Sequence, residues 1–328
     1  MFGIELTPEY PASEVAEYAV QAERAGFERV LASCHYNNRD PFLALAAIAR
    51  ATDEVELGPA AANPYTTHPV KLASQIATLD EASDGRALLG IGAGDRSTLA
   101  SLGIEHDRPL RRVLESFRFA RELWAGETVT HEGTFTARDA SLNYEVGSVP
   151  VYVGAQGPGM LRMSGKHADG ALVNASHPAD LSWSAERIAE GLADRPERYG
   201  EFDTAAFASV SVAEEGEAAR EAARPPVAFI AGGAAPPVLD RHDITVERST
   251  EIGEHLEAGE YTEAFEAVTP EMIDAFSIAG TPGTVERKLD ALFDHVDSVV
   301  CGSPLGPEKD EAISLLGATT DRLRGARR

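Results

Sequence analysis

The chain has 328 residues, of which 43% are hydrophobic, and its 53 acidic and 29 basic side chains give a formal net charge of −24. Such an acidic surface repels phosphate backbones and anionic lipids, so we expect neither a nucleic acid nor a membrane partner. No stretch reaches the roughly 18 uncharged apolar residues of a membrane span. The first residues lack the basic and apolar segments of a signal peptide, so the expected location is the cytoplasm.

The cysteines are too few and too far apart for a disulfide framework or a metal cluster. Cys34 and Cys301 are the only two, and the sequence contains no H-E-x-x-H motif, EF-hand loop or paired C-x-x-C motif. We therefore expect no metal ion in a functional site.

Short apolar runs bounded by glycine or proline alternate with amphipathic segments along the chain. The runs predict eight strands, at residues 2–6, 29–33, 55–61, 87–91, 149–153, 170–173, 205–212 and 298–301. The amphipathic segments predict helices at residues 13–25, 41–51, 69–83, 109–124, 158–167 and 308–322. Eight strand–helix units predict an α/β fold of the (β/α)8 TIM-barrel type. A doubly wound open sheet is the alternative.

Two segments do not fit the strand–helix repeat. Residues 127–144 resemble a hairpin inserted after the fourth strand and its helix, and residues 214–281 are too long for one crossover. We expect the second segment to add several short helices around the seventh strand, where it would cover the substrate or form a subunit interface. The whole of residues 1–328 is expected to form one domain.

Glu5 lies inside the first predicted strand, between two apolar residues. It is interpreted either as a carboxylate on an exposed strand end or as a carboxyl group facing the barrel mouth. In the second case, loss of water would suit it to general acid catalysis.

Polar and small residues follow the next three strands, at the edge of a barrel where active sites lie. The second strand leads into Cys34-His35-Tyr36-Asn37-Asn38, which suits a wall that binds a heterocycle. Ala60, Ala61 and Asn63 follow the third strand, and Gly92 lies in the glycine-rich loop of the fourth. Small residues there would let a flat ring approach the backbone, although a simple turn explains them equally well.

The fifth strand leads into Gly154-Ala155-Gln156-Gly157-Pro158-Gly159, directly before a predicted helix. Free backbone N–H groups at a helix N-terminus form an anion site, which suits a cofactor phosphate. Asn174, Ala175 and Ser176 end the sixth strand with an amide and a hydroxyl that would hold a ring edge or a phosphate.

Together these stretches resemble the coenzyme F420-dependent methylenetetrahydromethanopterin reductases, a branch of the bacterial-luciferase-like barrel proteins. The resemblance runs from the first strand to the last helix and is carried by these segments: Phe2-Gly3-Ile4-Glu5, His35-Tyr36-Asn37-Asn38, Asn63-Pro64-Tyr65, Ala77-Thr78-Leu79-Asp80-Glu81, Gly154-Ala155-Gln156-Gly157-Pro158, Asp169-Gly170-Ala171-Leu172-Val173-Asn174-Ala175-Ser176, Val227-Ala228-Phe229-Ile230-Ala231 and Gly302-Ser303-Pro304.

The resemblance implies a deazaflavin, coenzyme F420, across the mouth of the barrel and a pterin as substrate. It implies a non-prolyl cis peptide bond between Ala60 and Ala61 behind the deazaflavin ring, and Glu5 as the acid that protonates the pterin. The residues implied to bind the coenzyme are His35, Ala60, Ala61, Asn63, Gly92, Gly154, Ala155, Gln156, Gly157, Asn174, Ala175 and Ser176. It also implies a homodimer or a higher homo-oligomer.

Three positions depart from the family pattern, namely Cys34 in place of an aspartate, Ala60 in place of a glycine and Ala93 in place of a proline. Cys34 removes a charge beside the coenzyme ring, which leaves NAD(P)H as an alternative donor. Abundant Asp and Glu with very few lysines resemble the composition of proteins from salt-accumulating organisms, which favours methylenetetrahydrofolate as an alternative pterin. An FMN-dependent luciferase-like monooxygenase and a non-catalytic flavin-binding barrel are the competing functions.

Overall fold

The computed structural model describes residues 1–327, which form eleven strands and fourteen α-helices. The strands are β1 (Phe2–Leu6), β2 (Arg29–Ser33), β3 (Glu56–Ala60), β4 (Leu89–Ile91), β5 (Val129–Glu132), β6 (Thr136–Ala140), β7 (Val151–Ala155), β8 (Gly170–Asn174), β9 (Asp203–Val212), β10 (Ile278–Gly280) and β11 (Ser298–Leu305).

The helices are α1 (Ala12–Arg24), α2 (Pro41–Ala51), α3 (Pro69–Ala82), α4 (Arg96–Ser101), α5 (Pro109–Trp124), α6 (Pro158–His167), α7 (Pro178–Leu192), α8 (Gly216–Gly232), α9 (Pro236–Asp240), α10 (Val246–Ala258), α11 (Tyr261–Glu266), α12 (Pro270–Phe276), α13 (Pro282–Leu292) and α14 (Lys309–Arg327). Many of them begin with proline, whose fixed φ suits the first turn and whose missing N–H has no helical partner there. No helix in the described part of the chain is long and apolar enough to span a membrane.

Eight parallel strands form the barrel that the alternating pattern predicts. They pair in the order β3-β2-β1-β11-β9-β8-β7-β4. Isolated parallel bridges between Leu57 and Ala87 and between Ala62 and Ile91 join β3 to β4 across the remaining gap. The (β/α)8 prediction is therefore confirmed, and the open doubly wound sheet is wrong.

Side chains from different strands fill the interior of the barrel. One apolar cluster inside it consists of Leu31, Leu88, Tyr152, Leu172, Ala205 and Val300. Below this layer, at the amino ends of the strands, Arg29 pairs with Glu56 and Asp203. The interior is thus closed at one end, and the mouth lies at the carboxyl ends of the strands.

Both predicted insertions are present. Strands β5 and β6 form an antiparallel hairpin after α5, and α8 to α12 follow β9 around an apolar cluster of their own, which includes Val227, Ile252 and Ile273. That residues 1–328 fold as one domain stays a prediction.

Several elements differ from the sequence-based expectation. The fifth barrel strand was expected at residues 149–153 but is β7, at Val151–Ala155. Pro150 has no N–H for the ladder, so the strand begins after it. Helices α4, α7 and α13 and the three-residue strand β10, which pairs with β9, had not been predicted individually.

Candidate active site

The predicted site residues lie at the mouth of the barrel, because the parallel strands all end at the same edge. Glu5 is in β1, His35 follows β2, and Ala60 ends β3. Gly92 follows β4, the segment from Gly154 to Gly157 spans the end of β7, and the segment from Asn174 to Ser176 spans the end of β8.

Glu5 is buried, with 2% of its surface exposed. Its Oε1 lies 2.8 Å from Thr7 Oγ1, within hydrogen-bond distance. Its Oε2 accepts two hydrogen bonds from Ser303, one from the backbone N–H at 3.1 Å and one from Oγ at 3.1 Å. The interpretation of Glu5 as an exposed carboxylate at a strand end is therefore wrong.

Three small residues at or just beyond the ends of β3, β4 and β7 meet at the mouth and form a cradle, defined here as Ala61, Gly92 and Gly154. A Cβ added at Gly92 would lie 3.4 Å from the Cβ of Ala61, and one added at Gly154 would lie 3.6 Å from it. The Ala60–Ala61 peptide bond is cis, as the resemblance implied. Larger side chains in the cradle would fill space that a flat ring needs.

The N-terminus of α6 is not capped by a side chain. Gly157 is its N-cap residue and makes no side-chain hydrogen bond, and no atom would lie within 4 Å of a Cβ added there. The first N–H groups of a helix have no partner within it, so this end suits an anion. Gly154 and Ala155 were expected in this turn but belong to β7, so the turn itself is formed by Gln156 and Gly157.

The end of β8 is tied to the end of β9 and, through it, to β11. The Oγ of Ser176 accepts a hydrogen bond from the N–H of Ser209 at 3.0 Å. Ser209 Oγ donates in turn to the carbonyl of Ser303 at 3.0 Å. Ser176 is buried whereas Asn174 is exposed, so only the amide is open to a ligand from solvent.

Two of the predicted polar contacts are arranged differently from the expectation. The side-chain oxygen of Asn63 accepts from the N–H groups of Tyr65 and Thr66, at 3.1 and 3.0 Å, and so stabilises its own turn. That oxygen is therefore already engaged within the chain. His35 is exposed beyond the end of β2.

Cys34 lies close to both Glu5 and the cis peptide. Burial raises the pKa of its thiol to about 12, and the negative charge of Asp40 acts in the same direction, against a backbone hydrogen bond from Ala60. The side chain is accordingly a neutral thiol at physiological pH. Cys34 therefore adds no charge to the site.

Sequence reasoning did not assign roles to Thr7, Ser209 or Ser303. Thr7 could have been found, since residues two apart on a strand share a face. Ser303 was noted only as part of a motif, because its contact with Glu5 joins residues 298 positions apart.

Comparisons with known proteins agree with this architecture. The profile of the luciferase-like monooxygenase family matches residues 2–297. The chain is 42% identical over 322 residues to the 5,10-methylenetetrahydromethanopterin reductase of Archaeoglobus fulgidus, covering 96% of this chain and 97% of that protein. It is 40% identical over 319 residues to the Methanolobus tindarius protein of the same name, with coverage of 96% and 98%.

The fold agrees as well. The solved structure of the coenzyme F420-dependent tetrahydromethanopterin reductase from Methanopyrus kandleri matches with a TM-score of 0.88 and 37% sequence identity, over 96% of each chain. The chain belongs to the luciferase-like family and, within it, to the 5,10-methylenetetrahydromethanopterin reductases.

Proposed function

We propose that the chain reduces the methylene group of a 5,10-methylenetetrahydropterin to a methyl group, with reduced coenzyme F420 as hydride donor. The observation that carries the proposal is near-full-length similarity to reductases of that name, joined to a buried carboxyl group, Glu5, at the barrel mouth.

The residues at the mouth fit a flat coenzyme with an anionic tail. The cradle of Ala61, Gly92 and Gly154 leaves room for a ring against the backbone, and the uncapped N-terminus of α6 suits a phosphate. When bound, the reduced deazaflavin would supply the hydride. The task of the protein is then to align the pterin and to provide a proton.

Glu5 is the proposed source of that proton. As the bond between the methylene carbon and one pterin nitrogen breaks, the proton of the Glu5 carboxyl would move to that nitrogen and leave a carboxylate. The carbon receives the hydride, so the product carries one new C–H and one new N–H bond. Thr7 and Ser303 hold the carboxyl group in place for this transfer.

Methanopterin is the pterin that we propose. It is part of the names of the relatives described above. Methylenetetrahydrofolate was suggested by the acidic composition alone, and these relatives do not support it.

A spectrophotometric assay tests the proposal. Reduced F420 is mixed with methylenetetrahydromethanopterin or methylenetetrahydrofolate, with NADH, NADPH and reduced FMN plus oxygen as alternative donors. We expect oxidation of F420 with the methanopterin substrate. Turnover that depends only on a nicotinamide, or oxygen-dependent turnover with FMN, would contradict the proposed donor.

The role of Glu5 is tested by Glu5→Gln in the same assay. We expect turnover to fall by about 10² or more, the usual contribution of a general acid, while F420 binding measured by fluorescence is retained. Glu9→Gln is the matched control, because Glu9 is an exposed carboxylate just beyond β1 and its loss should leave turnover unchanged. Full activity of Glu5→Gln would exclude Glu5 as the acid.

A further inference from the structure

Glu5, Thr7 and Ser303 form a closed ring of contacts at the carboxyl ends of β1 and β11. Thr7 Oγ1 lies 2.8 Å from Glu5 Oε1, Ser303 Oγ lies 3.1 Å from Glu5 Oε2, and the two hydroxyl oxygens lie 2.8 Å from each other. We propose that Thr7 and Ser303 are positioning residues that hold the acidic proton of Glu5 within this ring. The inference rests on the proposed role of Glu5 as proton donor.

The number of available protons supports a neutral Glu5 in this arrangement. The group has four close contacts, three within the ring and one from the Ser303 N–H to Glu5 Oε2 at 3.1 Å. If Glu5 is an ionised carboxylate, only three protons are present, the two hydroxyl protons and the N–H proton, so only three of the four contacts can be hydrogen bonds. With the carboxylic acid, a fourth proton is present and every contact becomes a hydrogen bond.

The direction of the bonds in the neutral ring follows from this count. The acid O–H of Glu5 donates to Thr7 Oγ1, the Thr7 hydroxyl donates to Ser303 Oγ, and the Ser303 hydroxyl donates to Glu5 Oε2. After the proton has left for the substrate nitrogen, both hydroxyls can turn to the carboxylate, and charge-assisted bonds stabilise it. The same side chains therefore serve Glu5 before and after the transfer.

The backbone of β11 makes the ring possible. The register between β11 and β9 shifts between Gly302 and Leu305, and at this interruption the N–H of Ser303 is directed to Glu5. The carbonyl of Ser303 accepts from Ser209 Oγ. Both backbone groups of Ser303 are thus held by side chains, which fixes its hydroxyl relative to Glu5.

A pair of substitutions at Thr7 separates its hydroxyl from its shape. Thr7→Val keeps the volume and removes the hydroxyl, whereas Thr7→Ser keeps the hydroxyl. For Thr7→Val we expect kcat to fall about tenfold or more with KM for the pterin little changed, and Thr7→Ser to stay near the wild type. Ser303→Ala is the second variant and should lower kcat in the same way, which covers the case in which Thr7→Val does not fold.

An infrared difference spectrum at fixed pH reads the ring without any turnover. The carbonyl band of protonated Glu5, identified by subtracting the spectrum of Glu5→Gln, should move in frequency in Thr7→Val and stay at the wild-type frequency in Thr7→Ser. An unchanged band and unchanged kcat in both Thr7→Val and Ser303→Ala would overturn the inference, as would equal impairment of Thr7→Val and Thr7→Ser. Absence of turnover in the wild type, with the infrared shift present, would instead count against the proposed function.

Discussion

The guanidinium group of Arg29 lies over the ring of Tyr152, 4.4 Å from its centroid, and donates a hydrogen bond to the Tyr152 hydroxyl at 2.7 Å. Arg29 is 2% exposed and also pairs with Glu56 and Asp203. Asp203 accepts further hydrogen bonds from Tyr152 and from the hydroxyl of Ser298. One buried cation thus joins four strands at the closed end of the barrel.

Replacing this cation with an apolar side chain should destabilise the fold. In Arg29→Met the carboxylates of Asp203 and Glu56 would lose their buried partner, although water reaches both, since their side chains are 22% and 40% exposed. Loss of one partner from a fully buried pair costs about 3–5 kcal/mol, so we expect a decrease no larger than the lower end of that range in the free energy of unfolding, measured by denaturant titration.

Arg248→Met is the matched control, because it makes the same change in net charge at an exposed pair with Glu251. Exposed pairs are worth about 0–1 kcal/mol, so its stability should stay near that of the wild type. Equal losses in the two variants would show that net charge, and not the buried cluster, governs the effect.

Filling the cradle should weaken coenzyme binding without unfolding the protein. A Cβ at Gly92 or Gly154 meets its nearest neighbours at 3.4 Å or more, so both Gly92→Ala and Gly154→Ala should fold normally. The added methyl group would occupy the surface on which the ring would lie. We expect Kd for F420, measured by fluorescence titration, to rise about tenfold, or ~1.4 kcal/mol.

Gly325→Ala serves as the control for this pair, since nothing lies within 4 Å of a Cβ added there, in α14. It should leave F420 affinity unchanged. Wild-type affinity in both cradle variants would place the ring elsewhere.

The hairpin β5–β6 is anchored to α5 by Glu115, and this contact should depend on pH. Burial opposes ionisation of Glu115, yet hydrogen bonds from Thr134, Arg111 and His131 lower its pKa from 4.5 to about 2. The unfolded chain takes up the proton first, so the stabilisation is complete above about pH 5 and is lost as the pH falls towards 2. A shift of this size corresponds to stabilisation on the order of 3 kcal/mol.

The comparison of Glu115→Gln with the wild type isolates this contribution. At pH 7 the variant should be less stable by an amount of that order, and the difference in unfolding free energy should shrink as the pH falls from about 5 to 2. Glu132→Gln changes an exposed carboxylate of the same hairpin and should follow the wild-type curve. A constant difference between Glu115→Gln and wild type would contradict the assignment.

Local signals in the sequence, together with the family resemblance, predicted the barrel. Apolar runs such as residues 29–33 and helices that begin with proline, such as Pro41–Ala51, have the predicted bounds. The helix Pro178–Leu192 carried the same signal, a proline at its start followed by Leu181 and Ile188 on its buried side. It was missed although the pattern contained it.

Contacts between distant strands could not be predicted in this way. The alternation of strand and helix patterns shows that Glu5 lies in a strand. A strand that is buried on both faces, however, has no exposed side, so its sequence does not show which way each side chain points. The partners of Glu5 come partly from β11, and those of Arg29 from β3 and β9. Such pairs are fixed by closure of the barrel and leave no local pattern. The proposed homo-oligomer likewise stays a prediction.

Cys34 should react slowly with thiol reagents, and ionisation rather than access should limit the rate. The thiolate is the reactive species, and a pKa of about 12 leaves very little of it at pH 8. In a Cys301→Ala background, where Cys34 is the only thiol, we expect slow alkylation of the native protein at pH 8. The rate should rise steadily towards pH 12 and become fast at pH 8 once the chain is unfolded.

Asp40→Asn should accelerate the reaction of Cys34 at pH 8, because the Asp40 charge raises the thiol pKa while asparagine can still cap α2. Rapid alkylation of the native protein at pH 8, with no effect of Asp40→Asn, would show that Cys34 is ionised in the site.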